Sequence, residues 1–273
     1  MKENFRKLLP GSFEALRSIK FFIKCRKRFW KHQQRIRKLL FPDSEIRVLT
    51  GPFQGLNYYN KTIWGAIVPK WLGSYESHLI PVVNEIIDLR PKLIVDIGAA
   101  EGYYAVGLAK ILKESEVIAF DIDPIARFRQ RQLARLNQVK NLQICGFCSS
   151  EKLHKVAEPD CVIVCDIEGA EMELMNPVKS PNLIRSKLLI ECHRWKNLGP
   201  NEVAEEISQR FSRTHSIRRI GPLELDLKAW RESIPALETL RNNELEACFD
   251  EGRDICQIWL WMKPAGESTA QPA

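Results

Sequence analysis

The residues best suited to chemistry fall into three short stretches. The first is Val95-Asp96-Ile97-Gly98-Ala99-Ala100-Glu101-Gly102, joined by Asp121, 23 residues after Gly98. The second is Asp166-Ile167-Glu168-Gly169-Ala170-Glu171, and the third is Glu191-Cys192-His193. Gly98 lets a chain turn without a Cβ, and Gly102 lets a helix start close to a sheet. A carboxylate at position 121 can accept two hydrogen bonds from a ribose diol. On extended strands Asp166 and Glu168 share one face, as do Glu191 and His193. If those strands are neighbours, three carboxylates and one imidazole gather in one place. Such a cluster can take a proton from an acceptor group. His193 is the expected general base, oriented by Glu191 or Glu168. The same carboxylates suit a divalent ion, but the sequence completes no metal-ligand set.

These residues need a frame. Leu93–Asp96, Glu116–Asp121, Leu142–Cys148, Cys161–Asp166 and Lys187–Cys192 read as apolar strands. Helices are expected over Gly102–Lys113, Pro124–Asn137 and Asn201–Phe211. Strands without polar alternation, separated by helices, indicate a parallel sheet covered on both faces. Ser216–Ile220 and Ile255–Met262 complete a seven-stranded, doubly wound α/β sheet, with a helical insertion between them. Residues 46–73 carry Gly and Pro among aromatics and read as short strands and turns. Ser74 is the expected cap of a helix to about Leu89, divided by Pro81. Four parts follow: an arm over 1–45, a pre-core segment over 46–90, the core over 91–263, and a disordered tail over 264–273.

In such a sheet ligands bind at the carboxyl ends of the strands. Dinucleotide sites require G-x-G-x-x-G so that a pyrophosphate can approach the backbone. Here the loop reads Gly98-x-Ala100-x-x-Tyr103, and Glu101 adds a negative charge. S-adenosylmethionine carries a sulfonium and an amino group in place of a pyrophosphate. The loop therefore points to this cofactor, with Asp96, Gly98, Ala100, Gly102, Asp121 and Asp166 around it. Phe147, at the end of the third strand, is placed beside the adenine.

The Asp166–Glu171 stretch, the Glu191-Cys192-His193 stretch and the Phe120-Asp121-Ile122-Asp123-Pro124 turn resemble the FkbM family of methyltransferases. The resemblance covers roughly residues 92–195. It implies a Rossmann-like class I methyltransferase that uses S-adenosylmethionine, with a sugar, glycan or secondary-metabolite hydroxyl as acceptor. Two other readings remain: a methyltransferase acting on RNA or protein, guided by the arm, and a non-catalytic cofactor-binding module. Base N-methylation uses an aromatic stretch after the fourth strand to stack a flipped base. The acidic Asp166–Glu171 stretch lacks one, so a nucleic-acid acceptor is disfavoured.

The chain has 273 residues and a formal charge of +7. Residues 1–40 carry 13 Lys or Arg against two Glu, which leaves the rest net negative. This arm reads as a basic amphipathic helix with Phe13, Leu16, Ile19, Phe22 and Ile23 at helical spacing. Such a helix suits a packed, solvated face or an anionic membrane surface. No apolar run reaches membrane-span length. The eight cysteines follow no disulfide framework, and reduced thiols in a cytoplasmic protein are expected, with the arm offering attachment to the inner membrane face.

Overall fold

The computed structural model describes residues 31–223, 225–252 and 257–266. It divides into two units, 1–45 and 46–273. In the first unit residues 31–40 are helical. The rest of the expected amphipathic arm, and the tail from 267, lie outside the described residues. No helix among the described residues is long and apolar enough to cross a membrane.

The second unit is built on seven strands: β1 (Leu93–Ile97), β2 (Glu116–Phe120), β3 (Leu142–Cys145), β4 (Val162–Cys165), β5 (Lys187–Glu191), β6 (His215–Ile220) and β7 (Trp259–Pro264). Their spatial order is β3-β2-β1-β4-β5-β7-β6. β1 to β5 run parallel, and β7 is antiparallel to both β5 and β6. Every residue of β1, β4 and β5 is buried, as expected for strands covered on both faces. One face packs Val95, Ile97, Phe120, Ile163 and Ile190 against Leu153, Leu183, Ile207 and Phe211. This is the Rossmann-like class I methyltransferase arrangement expected from the sequence.

The helices are α1 (Ile67–Leu72), α2 (Ile80–Leu89), α3 (Tyr103–Ile111), α4 (Pro124–Leu136), α5 (Ser150–Val156), α6 (Glu171–Leu174), α7 (Pro200–Phe211), α8 (Leu227–Ser233) and α9 (Asn242–Phe249). Asp123 caps α4 by accepting the Ile125 N–H at 2.7 Å, with Pro124 in the first turn. Gly102 precedes α3 at φ 96°, where an added Cβ would crowd Val106 and Gln130.

Several boundaries differ from the sequence reading. Ser74 caps no helix; it follows the end of α1, its N–H bonded to the Pro69 carbonyl at 2.9 Å. The chain passes through a short 3-10 turn, Ser77–Leu79, before α2 begins with Pro81 in its first turn. The strands expected in 46–73 reduce to one isolated antiparallel bridge, Arg47 with Asn57. β3 stops at Cys145, so Gly146, Phe147 and Cys148 belong to a loop. β7 spans Trp259–Pro264, and residues 253–256 lie outside the described residues. Cys145, Cys148, Cys161, Cys165, Cys192 and Cys248 are all free thiols.

Candidate functional site

The register of the parallel strands gathers their carboxyl ends. Ile97 pairs with Phe120 on one side and Cys165 on the other, and Cys165 pairs with Ile190. The loops after β1, β2, β3, β4 and β5 therefore open at one end of the sheet. They border a cavity of about 1230 Å³. Its walls include Gly98, Ala100, Asp121, Phe147, Asp166, Glu168, Glu191 and His193. Eight of the ten residues singled out from the sequence thus share one cavity. Asp96 and Gly102 do not border it.

The β1 loop is set by close backbone packing. Gly98 has φ 87°, and an added Cβ would lie 1.6 Å from the Asp166 carbonyl oxygen. The loop also leans on β2, with the Gly98 N–H donating to the Phe120 carbonyl at 2.9 Å. Ala100 sits at φ 44°, and its N–H donates to Asp121 Oδ2 at 2.8 Å. Asp121 Oδ1 accepts the Asp123 N–H at 2.8 Å. The Asp121 carboxylate is thus aimed by two backbone donors, each oxygen keeping a lone pair for a ligand. Burial raises its pKa. Phe147 is 62% exposed, an aromatic face open at the cavity wall.

Asp96 stands behind this layer. It is buried, and it borders a small void of about 40 Å³ together with Asp166. Burial, then the charges of Asp166 and Asp121, push its pKa up to about 8.

Glu101 corrects a sequence expectation. Its charge does not face the ligand loop's open side. The side chain is fully buried and its Oε1 accepts from Lys70 Nζ at 2.9 Å, Tyr58 Oη at 2.8 Å and Thr62 Oγ1 at 2.7 Å. It ties the β1 loop to the pre-core segment. Within the β1 loop, only the missing third glycine then disfavours a dinucleotide.

The acidic cluster forms around His193. Its Nε2 lies 3.7 Å from Asp166 Oδ1, 3.5 Å from Glu168 Oε2 and 3.7 Å from Glu191 Oε1. Its Nδ1 lies 2.8 Å from Glu171 Oε1. Glu173 is exposed, but Glu171 is fully buried. Helix α6 is only one turn long, and its first glutamate folds under the Asp166–Gly169 loop. There Glu171 Oε1 also accepts the N–H groups of Ile167 and Gly169, both at 3.2 Å. Burial alone would lower the His193 pKa, but Glu171, Glu191 and Asp166 outweigh it and hold it up to about 9.

Wall residues that escaped the sequence reading include three polar or aromatic ones. Trp64 comes from the pre-core segment, and Glu251 and Gln257 precede β7. Gln257 Nε2 donates to Glu191 Oε1 at 3.0 Å. Tyr75 also borders the cavity. Tyr103 and Tyr104 border only the small void, where Tyr104 Oη donates to Glu76 Oε2.

No protein-family model matches the chain, and no curated protein matches it. Solved structures similar to it include an rRNA methylase from Streptococcus thermophilus, at 14% identity and a TM-score of 0.45, over 68% of this chain and 95% of that one. A putative rRNA-methylase from Clostridium thermocellum aligns at 12% identity and 0.45, over 70% and 97%. The O-methyltransferase TomG from Streptomyces achromogenes, in complex with S-adenosylmethionine, aligns at 11% and 0.42, over 55% and 74%. At these values the strand order of the sheet, not the likeness, defines the class I methyltransferase fold.

Proposed function

We propose that this chain is an S-adenosylmethionine-dependent methyltransferase of the FkbM-like type, acting on a hydroxyl of a sugar, glycan or secondary metabolite. The observation that carries the reading is the Asp121 carboxylate, fixed by two N–H donors at the end of β2 and presented to a cavity large enough for a nucleoside and an acceptor. An exposed Phe147 ring on the same wall suits a stacked adenine. Bound S-adenosylmethionine supplies a methyl group already activated by its sulfonium.

The chain's own residues then align and deprotonate the acceptor. Asp121 holds the ribose diol, and the acidic wall favours a cationic donor over a polyanion. Asp121, Asp123, Asp166, Glu168, Glu191 and Glu251 face the cavity, against His193 and Arg194. The same imbalance supports a neutral acceptor over RNA. Asp121 and Phe147 would hold the cofactor so that its methyl group could pass to the acceptor hydroxyl oxygen. The hydroxyl proton passes to Glu168, the exposed carboxylate beside His193.

Phe147→Ala tests the placement of the adenine. Losing a stacked ring costs about 1–3 kcal/mol. Calorimetry is expected to show S-adenosylmethionine binding roughly tenfold weaker or more, with the melting temperature unchanged because the ring is exposed. Equal affinity would remove Phe147 from the site.

A further inference from the structure

We infer that the cluster around His193 is a divalent-cation site, with His193 Nε2, Asp166 and Glu191 as ligands and Glu171 as the buried carboxylate that orients the imidazole. Its chemistry rests on the methyl-transfer reading, but binding of the ion does not.

The geometry has two layers. The inner layer is the set of atoms around Nε2. Asp166 Oδ1 and Glu191 Oε1 each lie 3.7 Å from it. That is too long for a hydrogen bond. Two atoms each about 2.1 Å from one ion lie about 3–3.5 Å apart at right or tetrahedral angles, close to the spacing seen. The ligand atoms of Asp166 and Glu191 also fall within 4.8 Å of each other and of Glu76. Asp166 and His193 are half-buried and Glu191 is buried, so these side chains have little freedom to move apart.

The outer layer is Glu171. A histidine that binds a metal through one nitrogen commonly donates its other N–H to a carboxylate, which fixes the tautomer and turns the free nitrogen to the ion. The 2.8 Å contact of Nδ1 with Glu171 Oε1 is this arrangement. Glu171 is itself held by two backbone N–H groups and fully buried. Its oxygen approaches the ligand atoms of Asp166 and His193 within 4.8 Å. Glu171 Oε2, enclosed in the same cluster, has no hydrogen-bond partner. A buried carboxylate oxygen in that state is costly unless a cation compensates it.

The donor types point the same way. Asp166, Glu168, Glu171 and Glu191 surround one imidazole. Two carboxylates with one imidazole suit a hard or borderline ion such as Mg²⁺ or Mn²⁺. The remaining coordination positions face the cavity, where an acceptor hydroxyl would bind and become more acidic. Glu168, exposed and 3.5 Å from Nε2, is left to take its proton.

Mn²⁺ added to the full chain without cofactor is the probe, followed by electron paramagnetic resonance. The expected result is one saturable Mn²⁺ per chain, with an electron spin-echo modulation from a directly bound imidazole nitrogen. His193→Gln is expected to remove that modulation and to weaken binding at least tenfold, and Asp166→Asn to weaken it similarly. Glu173→Gln, on the exposed side of α6, is expected to bind as the parent does. The imidazole signal is read on the parent chain, so it decides the matter even if a variant fails to fold. No saturable Mn²⁺ up to millimolar concentration, or binding without nitrogen modulation, would overturn the site. Titration of S-adenosylmethionine into the metal-free chain is run beside it, so a failed cofactor reading shows separately.

Discussion

Lys70→Ala is expected to destabilise the fold by about 3–5 kcal/mol, the cost of stripping a buried charge of its partner. Lys70 and Glu101 are 2% and 0% exposed and 2.9 Å apart. Removing the ammonium leaves Glu101 buried with the Tyr58 and Thr62 hydroxyls and a long 3.5 Å contact from the Ile63 N–H as donors. Urea unfolding followed by circular dichroism measures the loss. The double variant Lys70→Met with Glu101→Gln is expected to recover part of it, because no uncompensated charge remains. A Lys70→Ala variant within 1 kcal/mol of the parent, on the order of an exposed pair's worth, would mean that water reaches Glu101.

Gly98→Ala is expected to have the second-largest effect. The new Cβ would meet the Asp166 carbonyl oxygen at 1.6 Å, and the residue would be held at a left-handed φ. Relief requires the ends of β1 and β4 to part, at a cost of roughly 2–5 kcal/mol. That displacement also moves Ala100, whose N–H aims Asp121. Thermal melting should show the lost stability, and calorimetry should show no measurable cofactor binding. Gly146→Ala is the control, since a Cβ there meets no atom within 4 Å. If Gly98→Ala binds as the parent does, the β1 loop does not shape the cofactor pocket.

Much of this frame was legible because the signals are local. Five apolar runs and their spacing gave the parallel strands, and Gly98 marked the turn that close packing on Asp166 demands. Asp166, Glu168, Glu191 and His193 were expected together from strand alternation, but β4 stops at Cys165 and β5 at Glu191, so Asp166, Glu168 at φ 58° and His193 meet from the loops that follow. What escaped depends on contacts between distant residues. Glu101 looked like a ligand-facing charge, because its partners Tyr58, Thr62 and Lys70 lie 31 to 43 residues earlier. Glu171 carried no local signal of burial, since its partner His193 lies 22 residues later; one turn of helix places it beneath that imidazole. Ser74 resembled a cap by type, yet the backbone was already committed to closing α1. In each case a polar side chain was read by its neighbours in sequence, and its burial was decided by tertiary packing.

Calorimetric titration of S-adenosylmethionine into the parent chain and into Asp121→Ala tests most directly whether the cavity at the carboxyl end of the sheet holds the cofactor through Asp121. Hydrogen bonds to a charged group are worth about 1.5–3 kcal/mol. Saturable binding at one cofactor per chain is expected, weakened roughly 10- to 100-fold in Asp121→Ala. Absence of binding by the folded parent chain, or equal affinity in the two proteins, would contradict that role.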